Sequence, residues 1–210
     1  MSRKENEIRY RETLITAAEH VFGRMGFDSA SIDIITNEAG ITRRTLYRYF
    51  KNKEELYFAV VHNIYDKLLS HISRGYQSEK TGFLKLCSAS KQLAQLCKSN
   101  PQMLKIISWQ GQVKKKALQD SFYQGELMKL NQQLFEETAC VIADGVSDGS
   151  IKPGINPRKI AFSLVFIMTG YYCLMASTGD NFISYFSLLE EDFNDISMDL
   201  ILGSLKNDPA

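Results

Sequence analysis

Proline is scarce, with four in 210 residues, and runs of alternating β-branched residues are missing. Sandwich and barrel folds need both turn-breakers and period-two strands, so they are excluded, and long stretches at helical period point to an all-α fold. The four cysteines, Cys87, Cys97, Cys140 and Cys173, include no CxxC pair, and His20, His62 and His71 complete no metal-ligand cluster with them. Metal ligands are therefore expected to be none, and a disulfide framework is not expected in a chain of this length. The thiols read as free in a reducing cytoplasm; the alternative is a redox role for one of them, although only Lys98 supplies a nearby positive charge. No Gly-rich phosphate loop and no nucleophile–base spacing is present, so no catalytic residue, no cofactor and no enzyme activity is expected. The start is charged (Arg3, Lys4, Glu5, Glu7), which does not fit a signal peptide. Residues 160–176 lack any charge over seventeen positions, yet fall short of the ~20 residues of a membrane span and include Ser163, Thr169, Gly170, Tyr171 and Tyr172. They read as a buried core helix, with no membrane partner and a cytoplasmic location.

Net charge is only +1, so bulk charge names no partner. Its distribution does. Residues 1–53 carry ten Lys/Arg against seven Asp/Glu, whereas residues 54–210 carry fifteen against seventeen. The basic part is concentrated further in residues 41–53, which hold Arg43, Arg44, Arg48, Lys51 and Lys53 and no acidic residue, together with Tyr47, Tyr49 and Phe50. A short helix of that composition suits a DNA major groove.

Local signals place this helix. Leu14, Ala18, Val21 and Met25, with Phe22 beside them, form the stripe of a first helix over residues 8–25, closed by Gly26, with Phe27 folding back on the core. Ser31 is suited to N-cap a second helix over 32–39, with Asp33 in its first turn. Gly40 supplies a left-handed turn, Ile41 plugs the core and Thr42 caps a third helix over 43–50, on which Leu46 and Phe50 face inward. Asn52 caps the next helix, with Glu55 at the capping-box position and Lys53 in the first turn, aimed outward as a phosphate clamp. Two short helices around a Gly turn make a helix-turn-helix.

These residues resemble the DNA-binding domain of the TetR/AcrR family of transcriptional regulators. The resemblance rests on Arg11, Leu14, Ala18, Val21, Phe22, Gly26-Phe27, Ala39-Gly40-Ile41-Thr42, Thr45-Leu46-Tyr47-Arg48-Tyr49-Phe50 and Lys53-Glu54-Glu55-Leu56, without gaps over about a quarter of the chain. Two positions depart from the family pattern: Thr36 stands where Ala is usual, so the helix pair is expected to sit slightly apart, and Arg44 stands where Gly is frequent, which changes the expected base preference. The resemblance implies that Thr42, Arg43, Arg44 and Thr45 read bases or nearby phosphates and that Tyr47, Tyr49 and Lys53 anchor the backbone. Ser31 and Arg48 complete the DNA-binding set. Packing is the alternative role for Tyr47 and Tyr49, and solvation for Arg48.

The resulting division is a helix-turn-helix domain at 1–53 and an effector-binding and dimerisation domain at 54–210, with residues 54–74 as a connecting helix. Leu56, Val60, Ile64 and Leu68 repeat every fourth residue along it. Further helices are expected over 81–99, 102–109, 122–144, 157–178 and 182–206, with loops at 145–157 and at Lys114-Lys115-Lys116. The resemblance implies a homodimer through helices at about 157–178 and 182–206, where Ile160, Leu164, Ile167, Tyr171 and Leu174 make one stripe, Ala161, Val165, Met168, Tyr172 and Met175 a second, and Leu189, Phe193, Ile196 and Leu200 a third. It also implies an effector pocket, with candidates Phe83, Cys87, Met103, Ile107, Trp109, Phe122, Met128, Phe135, Tyr171 and Cys173, each of which has plain core packing as its alternative. The expected function is a homodimeric repressor on a palindromic double-stranded operator, released by a small, mainly apolar or aromatic effector. The alternative is a helical dimeric scaffold that binds protein partners or non-specific DNA.

Overall fold

Helices make up every extended regular element among the described residues; the single β-bridge joins Ile151 and Lys206. The computed structural model describes residues 3–117, 122–185 and 190–207, with side chains for 5–117, 122–178 and 193–207. Its contacts gather into two compact units, one of Met1–Tyr65 with Gln102–Lys129 and one of Asp66–Pro101 with Leu130–Ala210.

In the first unit, α1 (Arg3–Ser29) runs to Met25, breaks at Gly26 (φ 82°, ψ 164°) and adds one further turn. The break turns Phe27 back against Phe22 and Tyr57, with ring centroids 5.7 and 5.2 Å apart. Then come α2 (Ile32–Ala39), α3 (Arg43–Tyr49) and the first half of α4 (Lys53–Gln77). Leu14, Val21, Phe22, Ile35, Leu46 and Phe50 are all buried, as their period requires. Thr36 is buried too, and its hydroxyl is satisfied by the carbonyls of Ile32 (2.9 Å) and Asp33 (3.1 Å) of its own helix.

This unit is larger than residues 1–53. Tyr57, fully buried on α4, donates its hydroxyl to the Ile106 carbonyl at 2.5 Å, which packs α6 (Pro101–Ser108) onto the head. Lys114-Lys115-Lys116 is not a loop: it forms the last turn of α7 (Gln110–Lys116), where cations favour the helix dipole. Lys116 pairs with Asp28 at 2.5 Å and draws that carboxyl below its ordinary pKa. The start of α8 (Phe122–Ser147) adds Tyr123, stacked near Phe50 (6.3 Å) and bonded by the Arg11 guanidinium.

The second unit holds the end of α4, α5 (Gly82–Ser99), most of α8, α9 (Pro157–Tyr185) and α10 (Glu190–Gly203). A Cβ on Gly75 would lie 2.4 Å from the Ala89 Cα, so α4 and α5 touch backbone to backbone there. The α8–α9 loop is tied to both ends of the unit. Asp148 accepts from the Gly82 N–H at 2.8 Å, and Lys152 donates its N–H to the Leu205 carbonyl at 3.0 Å.

Two expectations are corrected here. α9 does not stop at 178 but continues to Tyr185, and the next helix starts at Glu190 rather than 182. One interior glycine, Gly179, costs a helix only about 1 kcal/mol, too little to end one with so much apolar surface. In the single chain α9 packs one side inward and leaves the other exposed. Ala161, Leu164, Met168 and Tyr172 are its inner stripe, while Phe162, Phe166, Ile167 and Leu174 are 51–62% exposed. On α10 the inner residues are Met198 and Leu202; Ile196 and Leu200, assigned to the dimer stripe, are exposed in the single chain, and Leu189 lies outside the described residues.

Candidate nucleic-acid interface and effector cavity

The helix-turn-helix is built by local caps. The Ser31 Oγ accepts the Ile34 N–H at 3.2 Å. Gly40 is left-handed (φ 66°, ψ 29°), and the Ile41 N–H then closes α2 on the Thr36 carbonyl at 3.0 Å. The Thr42 Oγ1 accepts the Thr45 N–H at 3.3 Å and lies 3.0 Å from the Thr45 Oγ1. The Asn52 Oδ1 takes the Glu55 N–H at 2.8 Å, while the Glu55 carboxylate takes the Lys51 N–H at 2.7 Å. With Leu46 and Phe50 buried, Thr42, Arg43, Arg44, Tyr47 and Arg48 are exposed and Thr45 and Tyr49 half-buried along one continuous face.

The charges on this face are partly pre-set. The Arg43 Nε meets the Asp33 carboxylate at 2.9 Å, both about 60% exposed, so that this pair contributes at most about 1 kcal/mol and yields readily to a better anion. Arg48 stacks over the Tyr49 ring at 5.0 Å and donates to its hydroxyl at 2.8 Å. Tyr49 in turn stacks on Tyr10 at 6.3 Å, and Arg9 lies over the Tyr10 ring at 5.8 Å. Arg9 and Tyr10 thus join the face from α1. No motif marks them, because the stack links positions thirty-nine apart.

Lys53 departs from its expected placement. Its Nζ does not stand free beside the α4 N-terminus; it donates to the carbonyls of Phe27 (2.8 Å) and Ala30 (2.9 Å) and lies 4.3 Å above the Phe27 ring. The break at Gly26 leaves those carbonyls without helical partners, and an ammonium within reach satisfies them. Burial lowers the Lys53 pKa, with Glu54 and Asp28 acting against the shift.

The second unit contains a cavity of about 70 Å3 between α4, α5, α8, α9 and α10. Its walls are apolar, with Ile72, Leu86, Leu134, Leu164, Met168 and Leu202 prominent, and Tyr76, Ser90, Thr138 and Thr169 are its polar members. The Tyr76 hydroxyl and Thr138 Oγ1 are 2.8 Å apart, and burial pushes the Tyr76 pKa up to about 12. None of the ten residues expected to form the pocket lines this cavity. Met103, Ile107, Trp109, Phe122 and Met128 fall in the first unit. There Met103 and Ile107 are core, Trp109 backs onto Gly26, and Phe122 and Met128 are about 70% exposed. Phe83, Cys87, Phe135, Tyr171 and Cys173 belong to the second unit and are half-buried outside the cavity. Phe135 stacks on Phe162 (5.0 Å) and Tyr171 on Phe193 (6.1 Å). Aromatic content singled them out, but the cavity is made by aliphatic residues where neighbouring helices fail to meet. Burial raises the thiol pKa of Cys87, Cys97 and Cys173, the reverse of what a redox thiolate needs.

Residues 14–60 match the pattern described as bacterial regulatory proteins, tetR family. The chain carries a TetR-family DNA-binding domain. The chain is 24% identical to the HTH-type transcriptional regulator RutR of Escherichia coli (strain K12) over 77% of its own length and 73% of RutR. It is 21% identical to the HTH-type transcriptional regulator YhgD of Bacillus subtilis (strain 168), over 74% of its length and 78% of YhgD. In fold it is similar to the transcriptional regulator FadR from Bacillus subtilis, solved in complex with stearoyl-CoA, with a TM-score of 0.73 at 14% identity over 92% and 98% of the two chains. The chain is thus a helix-turn-helix transcriptional regulator and not an enzyme.

Proposed function

We propose that the protein is a homodimeric repressor that reads a palindromic operator and is released by a small, mainly apolar effector. The face formed by Thr42, Arg43, Arg44, Thr45, Tyr47, Arg48 and Tyr49 carries this reading. It is exposed, basic and capped at both ends, and α3 is held rigidly by Leu46 and Phe50. Arginine fits guanine bidentately, while threonine and tyrosine hydroxyls suit phosphates and the thymine edge. Ser31, at the start of α2, and the Lys53 ammonium, with one N–H beyond its two carbonyl bonds, add phosphate donors.

A second copy suits the exposed outer stripes of α9 and α10, where Phe162, Phe166, Ile167, Leu174, Ile196 and Leu200 leave a continuous apolar surface in water. A two-fold dimer places two recognition helices in successive major grooves, ~34 Å apart. An effector that prefers one conformer of the regulator by 1–3 kcal/mol alters DNA affinity by roughly 5–150-fold.

The test is competition binding. The protein is titrated with duplexes from the DNA upstream of its own gene and with random duplex, across a range of salt. Preference for one palindromic segment, with affinity falling steeply as salt rises, is the expected result. Equal affinity for every duplex would leave the scaffold alternative in its place.

A further inference from the structure

The chain has one run of three consecutive cations, Lys114-Lys115-Lys116. All three are exposed on the last turn of α7, which is seated by the buried Val113. In sequence they lie far from the helix-turn-helix, yet they belong to the same compact unit. The Lys116 Nζ meets the Asp28 carboxylate at 2.5 Å and lies 5.9 Å from the centre of the Phe27 ring. The Lys53 Nζ stands over the same ring at 4.3 Å, so ammonium groups from α4 and α7 share one aromatic ring. Asp28 comes three residues before Ser31, the N-cap of α2 and one of the phosphate donors proposed above. The fold thus brings a lysine from outside the helix-turn-helix to the side of the head where two proposed phosphate donors already sit.

Two acidic residues flank Ser31 in sequence, and each holds one cation. Asp33 holds Arg43 at 2.9 Å, and Asp28 holds Lys116. The members of both pairs are between 49% and 71% exposed. Exposed pairs are weak and screened by salt, so each cation can leave its carboxylate for a stronger anion. A lysine has a flexible four-carbon stem, so its ammonium can follow that anion while α7 stays in place. The balance of charge favours an anion here: Lys53, Lys114, Lys115 and Lys116 stand against Asp28 and Glu54, four less two, or +2. We propose that Lys116 is a DNA-phosphate anchor outside the helix-turn-helix, and that Asp28 occupies the place of the phosphate until DNA displaces it. Lys114 and Lys115 strengthen the field around it. The assignment rests on the regulator reading above. Such a contact reads no base, so it strengthens binding to every sequence alike.

The test follows binding of the full chain to labelled upstream and random duplexes by fluorescence anisotropy across a salt series, with Tm measured alongside. The variants are Lys116→Gln, Asp28→Asn, the two together, and Lys159→Gln, which removes the same charge from an exposed position at the start of α9. Lys116→Gln is expected to weaken both duplexes by the same factor, about threefold to tenfold, and to reduce the salt slope by about 0.9 per subunit. Asp28→Asn should tighten both duplexes, and the gain should vanish when Lys116 is also Gln. Lys159→Gln should bind as the wild type does. Either single substitution breaks the ion pair, so both should shift Tm alike while moving DNA affinity in opposite directions. A pair that only fastens α7 to the end of α1 predicts equal losses of affinity in the two, and that result overturns the assignment. So does a Lys116→Gln variant that binds as tightly as Lys159→Gln. The preference of the wild type for upstream over random duplex separates the two readings. If that preference is present and Lys116→Gln changes nothing, only the anchor is wrong. If it is absent, the regulator reading falls, and the Lys116 effect is still read on random duplex.

Discussion

Lys53 serves the fold directly and, on the proposed reading, the DNA as well. Its two bonds to the Phe27 and Ala30 carbonyls close the end of α1, which the Gly26 break leaves open. Lys53→Ala removes both, and a partly exposed charge-assisted pair of this kind is expected to cost about 1–2 kcal/mol, read as a lower urea midpoint with unchanged slope. The same variant should reduce the salt slope of operator binding by about one phosphate contact. Unchanged stability would show that the carbonyl contacts contribute nothing. Arg43 illustrates the opposite economy of design: its exposed pair with Asp33 orients the guanidinium yet is weak enough to exchange for DNA.

At the scale of elements, one carboxylate ties the start of the α8–α9 loop to the start of α5. Asp148 accepts the N–H of Gly82 at 2.8 Å and that of Ser150 at 2.9 Å. The Ser150 side chain, then the Gly82 N–H, hold its carboxyl below the ordinary value of 3.8. The folded-state pKa is therefore lower than the unfolded one, so this contribution is complete above about pH 4 and is lost as pH falls through the folded value. Asp148→Ala should lower stability by about 1 kcal/mol at neutral pH and flatten the acid limb of a stability–pH curve. A curve that superposes on the wild type would refute this. Helices α4 and α8 also span both sets of functional residues. α4 starts at Lys53 and reaches the cavity at Ile72 and Tyr76, while α8 starts near Phe50 with Tyr123 and reaches the cavity at Leu134 and Thr138. On the proposed reading, these two continuous helices are the elements through which a ligand would bias α3.

For the whole molecule, the proposed dimer rests on the outer stripes of α9 and α10. Phe166 is 60% and Leu200 73% exposed, while the inner residues Met168 and Leu202 are buried. A charge at either outer position leaves the inner packing untouched. Phe166→Glu and Leu200→Glu are each expected to shift the protein from dimer to monomer in analytical ultracentrifugation, with the helical signal retained. Operator affinity should fall at least tenfold, because one head alone reads one half-site. A charged variant that stays dimeric would place the interface elsewhere.

What could be read from the residues alone follows the range of the interactions involved. Ser31, Gly40, Thr42 and Asn52 act on groups within four residues of themselves, so the helix-turn-helix and its outward face were legible down to their caps. The inner stripe of α9 followed from period, but which stripe faced inward on α10 did not, because Leu200 and Leu202 are equally apolar and only packing distinguishes them. The cavity of the second unit was not legible: ten aromatic, sulfur and apolar residues were singled out by type, and none of them lines it, because its walls come from five helices that only the fold brings together. Lys53 was assigned to DNA by its helix position, and only the fold brought it to carbonyls twenty-three and twenty-six residues away. By itself, then, the sequence determined an all-α chain with a capped helix-turn-helix, since local hydrogen bonds and helical period suffice for that, and the resemblance of those residues to a family added the regulator reading. The tertiary structure alone decided where Lys53 points, which apolar stripes remain exposed and that Lys116 meets Asp28, because each depends on contacts between residues that no local pattern pairs.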